Sequence, residues 1–165
     1  MGWYNSDGLY VKFGTEEATT AKAGSYRMTG PVQVAELVIG DMTALTSSAV
    51  TQGYTLAIPK GVRIEEVEVE VITACTSGGS ATLDVGLIKV DTTTELDYNG
   101  LVAAAAVATL NTAGKRLNLI NGSTAAGALI GTTTADNGYF TVNYNTAAFT
   151  AGKLVVRVKF SKIVS

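Results

Sequence analysis

From Val62 to Val71 the chain alternates apolar and charged residues, Val-Arg-Ile-Glu-Glu-Val-Glu-Val-Glu-Val, with one acidic residue too many in the middle. Successive side chains of a strand point to opposite faces, so such a run buries one face of a sheet and leaves the other to water. The surplus at Glu65-Glu66 would put the two halves out of phase unless a β-bulge absorbs one residue and bends the strand. The pattern therefore predicts a bulged strand with Val62, Ile64, Val67, Val69 and Val71 facing the core. The glutamates at 65, 66, 68 and 70 face water, or a partner with basic groups.

Turn signals divide the rest of the chain into similar pieces. Val32 to Ile39 reads as a strand opened by Pro31, whose missing N–H costs least at a strand start. Gly53 to Ile58 places Tyr54, Leu56 and Ile58 on one face and ends in the turn chemistry of Pro59-Lys60-Gly61. Beyond Gly78-Gly79-Ser80, Ala81 to Val90 aligns Leu83, Val85 and Leu87, and is expected to form an antiparallel hairpin with the bulged strand. Gly86 inside it signals close backbone approach or a second bulge. Further strands are expected over 128–132, 139–144 and 154–160, the last two preceded by Asn137-Gly138 and Ala151-Gly152.

Leu101 to Ala108 is mostly alanine and has the best helix propensity of the chain, with Asp97 or Asn99 as a cap, so a short helix is expected there. Residues 114–127 read as loop, with a turn at Asn121-Gly122. Seven to nine short strands and at most one short helix make an all-β fold, an antiparallel two-sheet sandwich of jelly-roll-like type. A chain of 165 residues buries enough surface for one such core without staples.

Catalytic equipment is sparse. The chain has no histidine and one cysteine, so the common zinc ligand sets and a histidine-activated thiolate are missing, and an intrachain disulfide is impossible. Cys75, at a strand end, reads as a small buried or half-buried thiol. Asp91, Glu95 and Asp97 resemble half of a calcium loop but lack its central glycine and terminal glutamate, so they read as a solvated loop. The glutamate pairs 65/66 and 68/70 are the candidates for a glycosidase dyad, set against a charged strand face short of sugar-stacking aromatics. No metal, cofactor or catalytic residue is assigned, and the chain reads as a non-enzyme.

Net charge is −2 and the twelve basic residues do not cluster, so no phosphate-tracking surface is expected and nucleic acid is not a predicted partner. Arg157 and Lys159 fall on one solvated strand face, and Lys115-Arg116 and Lys162 complete the local basic groups. The N-terminus lacks a signal-peptide pattern and no run is apolar enough to span a membrane, so a soluble product of the cytosol is expected.

Residues 1–28 stand apart from the sandwich expected over 29–165. The opening Trp3-Tyr4-Asn5-Ser6-Asp7-Gly8-Leu9-Tyr10-Val11-Lys12-Phe13-Gly14 is aromatic and strand-like, and a polar run from Thr15 to Ser25 follows it. So short a strand needs a sheet to pair with. Trp3, Tyr4, Leu9, Tyr10, Val11 and Phe13 are the candidate contact residues of an arm that adds to another sheet, Leu9, Val11 and Phe13 facing one way and Tyr10 and Lys12 the other. The alternative is an edge strand of the chain's own sandwich.

The arm from Asp7 to Gly14, the turn and strand Gly78-Gly79-Ser80-Ala81-Thr82-Leu83, Gly86-Leu87-Ile88, Asn137-Gly138-Tyr139 and Thr146 to Gly152 together resemble small virion structural proteins of tailed bacteriophages, in particular head decoration, or cement, proteins. The resemblance covers most of the chain and its motifs are structural. It implies a β-rich protein, made in the host cytoplasm, on the outer surface of a capsid. Its partner would be the major capsid protein, and it would sit as a trimer near local three-fold axes, stabilising contacts between capsid subunits. A tail, neck or fibre-associated module and a carbohydrate-binding jelly roll are the alternatives.

Overall fold

The computed structural model describes residues 32–162, the side chains of 50 and 52–56 apart, and the backbone of two N-terminal dipeptides. These dipeptides, β1 (Trp3–Tyr4) and β2 (Tyr10–Val11), pair antiparallel in a sheet of their own, Trp3 opposite Val11 and Tyr4 opposite Tyr10. Eight strands follow: β3 (Gln33–Ile39), β4 (Val50–Ile58), β5 (Val62–Ser77), β6 (Thr82–Lys89), β7 (Glu95–Ala106), β8 (Arg116–Leu119), β9 (Gly138–Asn145) and β10 (Phe149–Lys162).

The eight make two antiparallel four-stranded sheets, ordered β3-β10-β5-β8 and β4-β9-β6-β7. Their pairing is nested: the first strand pairs with the last, β4 with β9, β5 with β8 and β6 with β7. A chain doubled back on itself and wrapped into two sheets in this way is a jelly roll. The all-β, antiparallel two-sheet sandwich expected from the sequence is the fold observed, with single 3₁₀ turns at Met42–Ala44 and Val107–Thr109 as its only helical pieces among the described residues.

Alternation along the strands fills the space between the sheets. The first sheet contributes Leu37, Ile39, Val67, Val69, Leu154 and Val156; the second contributes Leu83, Val85, Leu87, Leu101, Phe140 and Val142, all buried. Val62, Ile64, Val67, Val69 and Val71 are at most 5% exposed, as their spacing required. The bulge lies where the surplus glutamate called for it: Lys159 pairs with Glu66 and Phe160 with Ile64, leaving Glu65 as the extra residue.

Gly86 has a matching cause. Between Val85–Val102 and Leu87–Asp97 strand β7 spends extra residues, and its backbone rides over Gly86, where a Cβ would lie 2.0 Å from the Asp97 carbonyl oxygen.

Four expectations are corrected. The alanine run is not helical but the end of β7, because intrinsic propensity yields to sheet pairing and the small side chains admit a bulge at Ala103–Ala104, between the Leu83–Ala105 and Val85–Val102 pairs. Ala104 there has φ 52°, and its N–H donates to Asp84 Oδ1 at 2.6 Å. Strands β5 and β6 do not pair; the Gly78-Gly79-Ser80 turn carries the chain from one sheet to the other. Residues 128–132 form turns rather than a strand; Gly131 N–H already donates to the Ile64 carbonyl at 2.7 Å, and just beyond the turns Thr133 bridges to Arg63 and Thr134 N–H donates to the Val62 carbonyl at 2.8 Å. The expected loop 114–127 contains strand β8, whose four residues are too few to show a period.

Candidate functional site

The outer face of the β3-β10-β5-β8 sheet carries the charged residues singled out in the sequence. Antiparallel register lays them in three rungs: Val34–Lys159–Glu66, Glu36–Arg157–Glu68–Asn118 and Val38–Val155–Glu70–Arg116. Arg157 is the hub. Its Nε donates to Glu36 Oε2 at 2.8 Å, and its Nη1 to Glu68 Oε1 at 2.8 Å and Glu70 Oε2 at 2.5 Å. Arg116 Nη2 donates to Glu70 Oε1 at 3.1 Å, and Lys159 Nζ to Glu66 Oε2 at 3.1 Å. The bulged Glu65 accepts from Ser161 Oγ at 2.7 Å.

The basic partner expected for the glutamates is thus the neighbouring strand of the same sheet. Hydrogen bonds from Arg157 and then Arg116 hold the Glu70 carboxyl below the usual range, and the carboxylates of Glu70, Glu68 and Glu36 in turn raise Arg157. A glycosidase acid needs its pKa raised, so Glu70 is tuned away from that role. Arg157 and Lys159, the basic pair of this face, are both held by glutamates of the neighbouring strand.

At one margin of this face the ladder gives way to apolar surface. Strand β3 is an edge, pairing among the described residues only with β10. Val34 and Val38 flank Glu36 on its outer face, 54% and 53% exposed, and Val32 just before the strand is equally open. An edge of this kind presents unpaired N–H and C=O groups beside apolar side chains, and natural proteins cover or charge such edges unless they bind through them. This is the surface best suited to a partner.

Other candidates are accounted for locally. Asp91 closes the β6–β7 turn by accepting from the N–H groups of Thr93 and Thr94 at 2.8 Å, bonds that lower its pKa to about 2. Glu95 accepts from Tyr98 N–H and Asp97 from Asn99 N–H. Among the described residues no group of three metal-ligating side chains assembles. Cys75 is 1% exposed, and burial pushes its thiol up to about 11.

On the outer face of the second sheet Asp84 accepts from Ala104 N–H and Asn145 Nδ2, while the buried Thr141 Oγ1 and Asn143 Oδ1 find no partner among the described residues. A shallow groove of about 300 Å³ between the β7 and β8 edges is lined by Ala104, Ala106, Leu117, Leu119 and Ala125, with no titratable group among its walls. Sequence reasoning missed the β3 edge because exposure of Val34 and Val38 depends on which strand lies at the margin.

Of the arm residues, Trp3 and Tyr4 are brought opposite Val11 and Tyr10, in a sheet separate from both sheets of the sandwich. Leu9 and Phe13 lie outside the described residues.

Three solved structures contain a chain of similar fold. One is in the capsid of Ralstonia phage GP4, 19% identical, with 89% of this chain and 94% of that one covered and a TM-score of 0.53. Another is in the capsid asymmetric unit of cyanophage Pam1, 21% identical, with 92% and 100% covered and a TM-score of 0.54. A third is in the acidic stable capsid of Helicobacter pylori bacteriophage KHP30, 15% identical, with 81% and 89% covered and a TM-score of 0.50. At such identities it is the fold that is shared. No family profile and no curated protein matches the chain.

Proposed function

We propose that the chain is a virion structural protein of a tailed bacteriophage, a decoration or cement protein that binds the outer surface of the head and stabilises contacts between major capsid subunits. The observation that carries this reading is whole-chain likeness: the GP4 and Pam1 matches span 94% and 100% of chains that belong to capsids. Those chains are therefore of about this size rather than larger subunits of which this chain matches a part.

The surfaces described above favour binding over catalysis. Glutamates 66, 68 and 70 are engaged by cations, the groove is apolar, and the open edge of β3 offers main-chain hydrogen bonds with valines on either side of Glu36. Extended segments are recognised at such edges.

The test is reconstitution. Purified protein is added to heads assembled without it and the mixture is sedimented. The reading expects saturable binding at a fixed ratio to the major capsid protein and greater resistance of the decorated heads to heat or chelator. Protein left in the supernatant would refute it.

A further inference from the structure

We propose that the free edge of β3 is the docking site for residues 9–13 of a second copy of this chain, added antiparallel as a fifth strand with Lys12 opposite Glu36. The inference does not depend on the capsid role.

The register follows from the two faces of β3. Its inward residues Ala35, Leu37 and Ile39 are buried and its outward residues run Val34, Glu36, Val38. An antiparallel strand pairing Lys12 with Glu36 puts Phe13, Val11 and Leu9 beside Ala35, Leu37 and Ile39, and Tyr10 beside the half-exposed Val38. Apolar then meets apolar on the core side, an aromatic meets a β-branched residue outside, and a cation stands over the one anion of the edge. Slipping by one residue would send Leu9, Val11 and Phe13 into solvent, and slipping by two would leave Lys12 opposite a valine.

The pairing of β2 with β1 uses one side of that strand and leaves the other to add to β3. A two-stranded sheet is marginal alone and gains from a third strand.

One observation favours a second copy over the chain's own edge, and the length of the connector permits it. Within the single chain β1 and β2 form a sheet of their own and extend neither sheet of the sandwich. The connector of residues 15–31 reaches up to about 60 Å when extended, while a four-stranded sheet is roughly 19 Å wide. A connector of that reach is long enough to carry the arm to a neighbouring copy. Arm-to-edge contacts are head-to-tail, so they close into a ring when the rotation allows.

The experiment is site-directed cross-linking of full-length protein, the buried Cys75 left in place. A Tyr10→Cys variant is mixed with a Val38→Cys variant under mild oxidation, the two distinguished by mass. The proposal expects a disulfide-linked heterodimer that forms several-fold faster than with Val34→Cys, two residues off register. Adding Lys12→Glu to the Tyr10→Cys chain is expected to slow the cross-link several-fold. Equal rates at positions 34 and 38, no cross-link, or indifference to Lys12→Glu would overturn it. So would a Tyr10→Cys/Val38→Cys double variant whose disulfide closes only within one chain, which would give the edge to the chain's own arm.

Discussion

Arg157 of β10 donates from Nε to Glu36 of the edge strand β3 at 2.8 Å while its Nη1 bonds Glu68 and Glu70 of β5, so one guanidinium ties three strands together. Glu68 and Glu70 have side chains only 14% and 17% exposed, which makes them costly to leave without a cation.

Replacing Arg157 by Met is therefore expected to lower the melting temperature at neutral pH, with Arg157→Lys intermediate because an ammonium cannot fork to three carboxylates. The sign with pH is fixed. Arg157 and Arg116 depress Glu70 below its ordinary 4.5, so their stabilising contribution is fully present above that value and fades as pH falls through the lowered pKa. Thermal unfolding of both proteins at neutral pH and in acid checks this: the deficit of the Met variant shrinks in acid. A deficit equal at both would contradict the ladder's electrostatic role.

Asp91 supplies a second acid-sensitive contribution. Its carboxyl is lowered from 3.8 to about 2 by bonds from Thr93 and Thr94, so the stability it lends is complete above 3.8 and lost on approach to about 2. Asp91→Ala is expected to lower the urea midpoint most above that window and progressively less within it. The measurement is the midpoint of both proteins across the acid range.

Gly86→Ala places a Cβ 2.0 Å from the Asp97 carbonyl and 2.2 Å from the Tyr98 carbonyl carbon, backbone atoms that cannot step aside. Overpacking of this kind costs about 1–3 kcal/mol or more. Gly78→Ala meets nothing within 4 Å and serves as the control. Unfolding free energies of the two variants, from urea denaturation, are expected to differ by about that margin.

The contrast between these positions explains how far the sequence could be read. The bulge at Glu65 was legible because two inward sets of valines had to stay in phase, and Gly86 because glycine inside an apolar strand has few other uses. The antiparallel two-sheet sandwich followed from strand number and turn spacing, while its nested jelly-roll strand order did not. Partners did not follow. Glu36 and Arg157 are 121 residues apart, and alternation shows which face a charge occupies but not which strand lies beside it. The alanines of β7 were misread for a similar reason: their small size serves the bulge opposite Asp84, a tertiary demand with no local signature. The open β3 edge was hidden until the sheet order was known.

Cys75 is expected to resist alkylation in the native protein. Buried at 1% exposure with its thiol pushed up to about 11, it offers almost no thiolate near neutral pH. Iodoacetamide labelling followed by mass spectrometry should show no adduct in buffer and full modification in denaturant. Ready native labelling would mean that the strand end around Gly152 opens.

The central proposal is that this jelly roll works by binding the outside of a capsid through its surfaces. A cryo-EM reconstruction of the virion that carries it tests that most directly. The account predicts density for the β3-β10-β5-β8 and β4-β9-β6-β7 sandwich on the outer face of the head, seated across contacts between major capsid subunits. Finding the sandwich confined to the tail or neck, or missing from the particle, would contradict it.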